Sequence, residues 1–104
     1  MNRTEELVYY NALFDLYGNL LNEREKEIFA LFYEEDLSLQ EIADMRNVSK
    51  SAIGSAISTI NKKLDTYEEK LKFLEKTNLI KNLINELKDK SLQEKMKKVL
   101  ENDC

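Results

Sequence analysis

The 104-residue chain has no proline, no histidine and no tryptophan, only two glycines and a single cysteine. With no proline and so little glycine, nothing breaks long helices and few tight turns can be built, so the chain reads as all-α with short connections. One cysteine cannot staple the fold, and without histidine it cannot complete a metal-ligand set or a nucleophile–base pair. Cys104, beyond the last apolar residues, is read as an incidental thiol of a protein kept in a reducing cytoplasm. There is no run of about 18 uncharged apolar residues, so neither a membrane span nor a secretory leader is expected. The carboxylates are spread over helix faces; Glu68 and Glu69, for instance, diverge by about 100°. No cofactor, no metal site and no enzymatic activity are expected.

What is present is 42% apolar residues, enough for one modest core, and an uneven distribution of charge. The net charge is −4. Residues 1–48 carry four basic and eleven acidic side chains, whereas residues 49–104 carry twelve lysines against nine acids and no arginine. An anionic ligand would be steered to the second half and repelled by the first. Most of these lysines are also what solvated helix faces look like.

The segment Leu37 to Leu64 has the spacing of a helix-turn-helix. Ser38 precedes Glu41 by three residues, a capping-box pattern that starts a short helix. Ile42 and Ala43 supply its inner face, Ala43 being small where a second helix passes. Asn47 stands at the turn, where a left-handed conformation is wanted. Val48 is placed to plug the angle between the helices, and Ser49 caps the next one. Ile53, Ile57 and Ile60 form that helix's inner face. Such units put their second helix into a DNA major groove.

Around this unit, a first helix is expected from about Thr4 to Tyr17, with Leu7, Tyr10, Phe14 and Tyr17 on one face and Gly18 as a left-handed terminator. Asn22 with Glu25 caps a second helix whose core face is Ile28, Leu31 and Phe32. From Lys50, the residues Ile53, Ile57, Ile60, Leu64, Tyr67, Leu71 and Leu74 alternate steps of four and three. That predicts one helix from about 50 to 76, about 38 Å long. Thr77 is a candidate cap for a helix bearing Leu79, Ile80, Leu83, Ile84 and Leu87. Ser91 with Glu94 suggests a capping box leading to Leu92, Met96, Val99 and Leu100. The expected organisation is a helix-turn-helix core over 1–66 and a C-terminal helical extension over 67–104 that does not fold alone. Either the last helices fold back on the long one or a second chain covers it. In a homodimer, Leu64, Tyr67, Leu71 and Leu74 would form the contact.

Tyr10-Asn11, Leu13-Phe14-Asp15, Tyr17-Gly18, the run LSLQEIADMRNVS from Leu37 and Tyr67-Glu68-Glu69-Lys70-Leu71 resemble the small bacterial YlxM family over nearly the whole chain. The helix-turn-helix is also similar, less specifically, to the promoter-reading region 4 of sigma factors. The resemblance implies a helix-turn-helix regulatory protein of the broad winged-helix-like DNA-binding superfamily. It also implies an accessory role in the signal recognition particle pathway, inferred from gene neighbourhood, and no enzymatic activity. The chain departs from the family pattern at Gly54-Ser55-Ala56-Ile57-Ser58-Thr59, where the resemblance leads one to expect larger and more polar or basic residues.

Opposite the isoleucine face, Ser51, Ser55, Ser58 and Lys62 fall on one line, with Gly54 and Asn61 on a flank. With Lys50, these are the candidate nucleic-acid-binding residues. Hydroxyls meet phosphates or either kind of base edge, whereas bidentate reading of a base wants arginine, lysine, asparagine or glutamine. Weak binding of DNA or RNA is therefore expected, and a protein-interaction module that keeps the fold without reading DNA is the alternative. Gly54 is either a tolerated helix glycine or a point where another backbone comes close.

Overall fold

The computed structural model describes residues 2–101. Cys104 lies outside the described residues. Six α-helices follow one another with no strand among the described residues, hence without a β-wing. Between Leu71 and Lys72 the chain divides into two units.

The first unit opens with α1 (Arg3–Tyr17), capped by the Asn2 side chain, which accepts from Glu5 N–H at 2.8 Å. Gly18 ends it without the expected left-handed turn. Its φ is −55°, and the chain runs on into one turn of 3₁₀ helix, Gly18–Leu20. Glycine is needed there for space: a Cβ would lie 3.2 Å from three atoms of the Phe14 ring. The packing line of α1 is also displaced, since Leu13 and Tyr17 are fully buried while Leu7, Tyr10 and Phe14 are only half-buried.

Helix α2 (Glu23–Phe29) starts with the Asn22–Glu25 capping box and widens into a π-type turn over Ala30–Glu34, where Glu35 N–H donates to Ala30 O at 2.9 Å. The wider turn changes which side chains face inward. Ile28, Phe29 and Tyr33 are buried, and Leu31 and Phe32 are left half-covered, contrary to the regular-helix reading. Phe14 and Phe29 stack at 4.2 Å with their planes 5° apart, and Phe29 lies 4.7 Å from Tyr33.

The helix-turn-helix is α3 (Leu39–Arg46) and α4 (Lys50–Leu71). Ser38 and Glu41 form the reciprocal capping box, and Asn47 takes the left-handed conformation at φ 55°. Val48 N–H donates to Ala43 O at 3.1 Å, and Ser49 Oγ accepts from Ala52 N–H at 3.1 Å. Ile42, Ala43, Ile53, Ile57, Ile60 and Leu64 are buried, and α4 packs against α1, α2 and α3. Val48 does not plug the helix angle; it is 40% exposed, because Ala43 lets the two helices approach without it.

The long helix stops at Leu71, five residues short of expectation. Lys72 turns left-handed at φ 56°, and its carbonyl accepts from Lys76 N–H at 3.0 Å, opening α5 (Phe73–Asn85). Thr77 therefore lies inside a helix and caps nothing. The apolar seam loses its continuity: Leu64 is fully buried, Tyr67 leans on Tyr17 at 5.9 Å, and Leu71 is 40% exposed. Leu74 falls beyond the break. The second unit is the hairpin of α5 and α6 (Lys90–Glu101), in which Asp89 and not Ser91 provides the cap, its Oδ1 accepting from Leu92 N–H at 3.1 Å. An aspartate one residue before the helix competes well with a serine already inside it. No helix among the described residues is long and apolar enough to cross a membrane.

Candidate nucleic-acid interface

Four cross-links hold α4 against the helices before it and decide which of its polar groups remain available. Tyr10 Oη donates to Asp65 Oδ2 at 3.0 Å, and Tyr17 Oη donates to Glu68 Oε1 at 2.7 Å, tying α1 to the second half of α4. Burial raises the Tyr10 phenol well above its ordinary value, helped by the hydrogen bond to Asp65, so it stays a donor. Asn61 Nδ2 donates to Tyr33 Oη at 2.8 Å. Asn61, the one side chain of α4's central turns suited to bidentate reading of adenine, thus has its amide held by Tyr33.

The fourth link consumes a lysine. Lys63 Nζ lies 2.6 Å from Glu25 Oε2, while Glu25 Oε1 accepts from Asn22 N–H at 3.0 Å. Glu25 is the one buried charged residue, 9% exposed, among the described residues. Burial alone pushes its carboxyl up. The Lys63 hydrogen bond, the Asn22 N–H and the charges of Lys63 and Arg24 outweigh that, and the group sits below the usual carboxylate value. The hydrogen bond to Glu25 in turn raises Lys63. Lys63 belongs to the fold, and its neighbour Lys62 does not.

Ser51, Ser55, Ser58 and Lys62 are all exposed on one line of α4, within about 60° around the axis and over about 16 Å of its length. Lys50 is exposed but lies about 100° away from Ser51 around the helix. It borders a cavity of ≈ 510 Å³ shared with Arg3, Phe32, Gln40 and Glu41. Four of the five expected residues form a strip, and Lys50 stands at its edge. Two residues belong beside them that the sequence did not single out. A groove of ≈ 230 Å³ between α2 and α4 is lined by Arg24, Ser55 and Thr59 among others, and a second of ≈ 260 Å³ by Thr59, Lys62, Lys63, Thr66 and Tyr67. Thr59 was findable, four residues beyond Ser55 and three before Lys62. Arg24 comes from another helix, and only packing brings it there.

This surface offers hydroxyls and a few cations to an anion, and little that discriminates one base edge from another. Among the described residues no cluster of three or more acidic, histidine or cysteine side chains could hold a metal ion.

Comparison with known proteins agrees with this architecture. The family described as "Putative helix-turn-helix protein, YlxM / p13 like" matches residues 4–103. A UPF0122 protein of Clostridium botulinum is 41% identical over 90 residues, covering 83% of each chain. One of Mycoplasma capricolum is 39% identical over 94 residues, covering 90% of this chain and 83% of its own. One of Fusobacterium nucleatum is 40% identical over 99 residues, covering 94% and 95%. The chain belongs to the YlxM / p13-like helix-turn-helix family.

Proposed function

We propose that the chain is a cytoplasmic helix-turn-helix regulatory protein that holds nucleic acid weakly, through phosphates. Ser51, Ser55, Ser58 and Lys62 of α4 make the contact, with Lys50 and Arg24 at its margins. The observation that carries this reading is the division of labour on α4. Asn61 is hydrogen-bonded to Tyr33 and the exposed Lys63 is paired with Glu25, and the outward strip keeps hydroxyls and one lysine, Lys62. Phosphate contacts hold and orient, and they carry no sequence information.

Titration of unrelated duplexes at two salt concentrations tests it. The expected dissociation constant is roughly 10⁻⁴ to 10⁻⁶ M at physiological salt, with affinity falling steeply as salt rises. Lys50→Ala with Lys62→Ala should weaken every duplex alike and lower the salt slope by about two. Nanomolar binding to one sequence, indifferent to these lysines, overturns the proposal.

A second reading is favoured by the charge of the first unit: residues 1–71 hold eight basic and fourteen acidic side chains. On that reading the helical surfaces bind a protein or ribonucleoprotein partner, and the family resemblance points to components of the signal recognition particle. Binding to the reconstituted particle that survives high salt and the double lysine substitution would select it. Binding that follows the duplex results would select the first.

A further inference from the structure

The α5–α6 hairpin carries more apolar surface than it covers. Gln93 Nε2 donates to Ile84 O at 3.0 Å, so the line of Gln93 and Leu100 on α6 faces Ile84 on α5. Ile84 is the only fully buried side chain among the described residues of this unit. At 100° per residue, Leu79, Ile80 and Leu83 of α5 centre about a right angle away from that inner line, as do Leu92, Met96 and Val99 of α6. Because the two helices run antiparallel, both stripes turn to the same side of the hairpin. The opposite side holds a cleft of ≈ 310 Å³ bordered by Lys81, Asn85, Lys97, Leu100 and Glu101. That face carries charged and amide side chains about Leu100, and the other is aliphatic.

The exposure of the aliphatic face is large: 57% for Leu79, 41% for Ile80, 63% for Leu83, 47% for Leu92, 38% for Met96 and 70% for Val99. Together these present on the order of 500 Å², at the upper end of what a monomer leaves uncovered. We infer that a second copy of the chain docks here, face to face about a twofold axis, closing a four-helix bundle from two hairpins.

Two arguments select that occupant. The first is area. A homodimer interface of about 800 Å² per partner, about 65% of it apolar, uses roughly 520 Å² of apolar surface on each side, which is what the six side chains supply. The second is stability. Helices of 13 and 12 residues are marginal alone, and one buried isoleucine is not a core. A twofold axis gives each hairpin the one apolar surface certain to be available wherever the chain is made, namely its own. This inference stands on the second unit and is independent of the nucleic-acid reading.

Sedimentation equilibrium of the full chain from about 5 to 100 µM tests it, with far-UV circular dichroism on each variant. The wild type is expected to reach twice the chain mass. Leu83→Glu and Val99→Glu should each raise the dissociation constant at least tenfold while the main thermal transition persists, since both positions are exposed and lie in the second unit, away from the core of the first. Helical signal should fall by no more than the share of α5 and α6. Lys81→Glu, on the polar face, should leave the dimer unchanged. A single-chain mass at 100 µM overturns the inference. So does a dimer that both glutamates leave intact, or a mass that keeps growing past two copies, because neither fits a closed twofold pairing through this face.

Discussion

Gly54→Ala is expected to stabilise the protein. Gly54 lies in the second turn of α4, where glycine costs about 0.8–1.0 kcal/mol relative to alanine through backbone entropy. Nothing in the fold requires it. Its φ is not positive, and a Cβ there would meet only Leu39 Cδ1, at 3.8 Å, an ordinary van der Waals contact. Partial burial of the added methyl contributes a few tenths of a kcal/mol more, a fraction of the ~0.8 kcal/mol for a fully buried group. The sum is about 1 kcal/mol, a rise of roughly 4–8 °C in melting temperature for a domain of this size. Calorimetry and urea titration with an unchanged m-value would read it. Gly18→Ala is the internal control. It makes the same exchange, but its Cβ would press on Phe14 at 3.2 Å, so destabilisation of about 1–3 kcal/mol is expected. A fall in midpoint for Gly54→Ala would refute the reasoning. Unchanged duplex affinity in the stabilised variant would show that the glycine does not serve a partner's close approach.

Ile57, 7% exposed in the middle of the α4 core face, should cost about 2–5 kcal/mol on truncation to alanine, whereas Ser58→Ala should change stability by less than about 0.5 kcal/mol in the same urea titration. Lys63→Ala should lower the urea midpoint by leaving buried Glu25 without its partner, and Lys62→Ala should leave the midpoint alone while weakening nucleic-acid binding. Glu25 titrates below its ordinary 4.5 in the folded chain, so the unfolded chain takes up the proton first. Its contribution is therefore full above about pH 5 and is lost as pH falls through the folded value; midpoints measured against pH should show a shallower acid limb in Glu25→Gln.

Local signals were legible in the sequence, and interrupted regularity was not. The Asn22 and Ser38 capping boxes, the left-handed Asn47, the Ser49 cap and the inner face from Ile53 to Leu64 follow from chemistry within a few residues, and the structure has each of them. The π-type turn at Ala30–Glu34 moved the inner face of α2 onto Phe29 and Tyr33, because a period of 3.6 no longer holds there. The break at Lys72 has no glycine or proline to announce it, and the heptad pattern runs straight through it. In the site, the strip Ser51 to Lys62 is a one-helix property and could be read directly. Arg24's presence beside Ser55, and the loss of Asn61 and Lys63 to Tyr33 and Glu25, depend on α2 packing against α4.

The polar groups that hold the first unit together limit what its surface can recognise. Arg3 pairs with Asp36 at 3.3 Å, Arg46 with Glu27 at 3.2 Å and Lys63 with Glu25 at 2.6 Å, so each of these cations already has a carboxylate beside it. On the strip proposed to meet a phosphate backbone, Lys50, Lys62 and Arg24 stand amid hydroxyls, which on that proposal gives weak and indiscriminate contact. Weak contact becomes useful when two copies are linked, since the second contact then forms at an effective concentration set by the linkage and avidity can exceed the single-site affinity by roughly 10²–10⁴. If the hairpins pair as inferred, Val99→Glu should therefore weaken binding to a long duplex far more than to one too short for two copies, although Val99 touches neither. Equal losses on the two lengths would separate the pairing of the chain from its hold on nucleic acid.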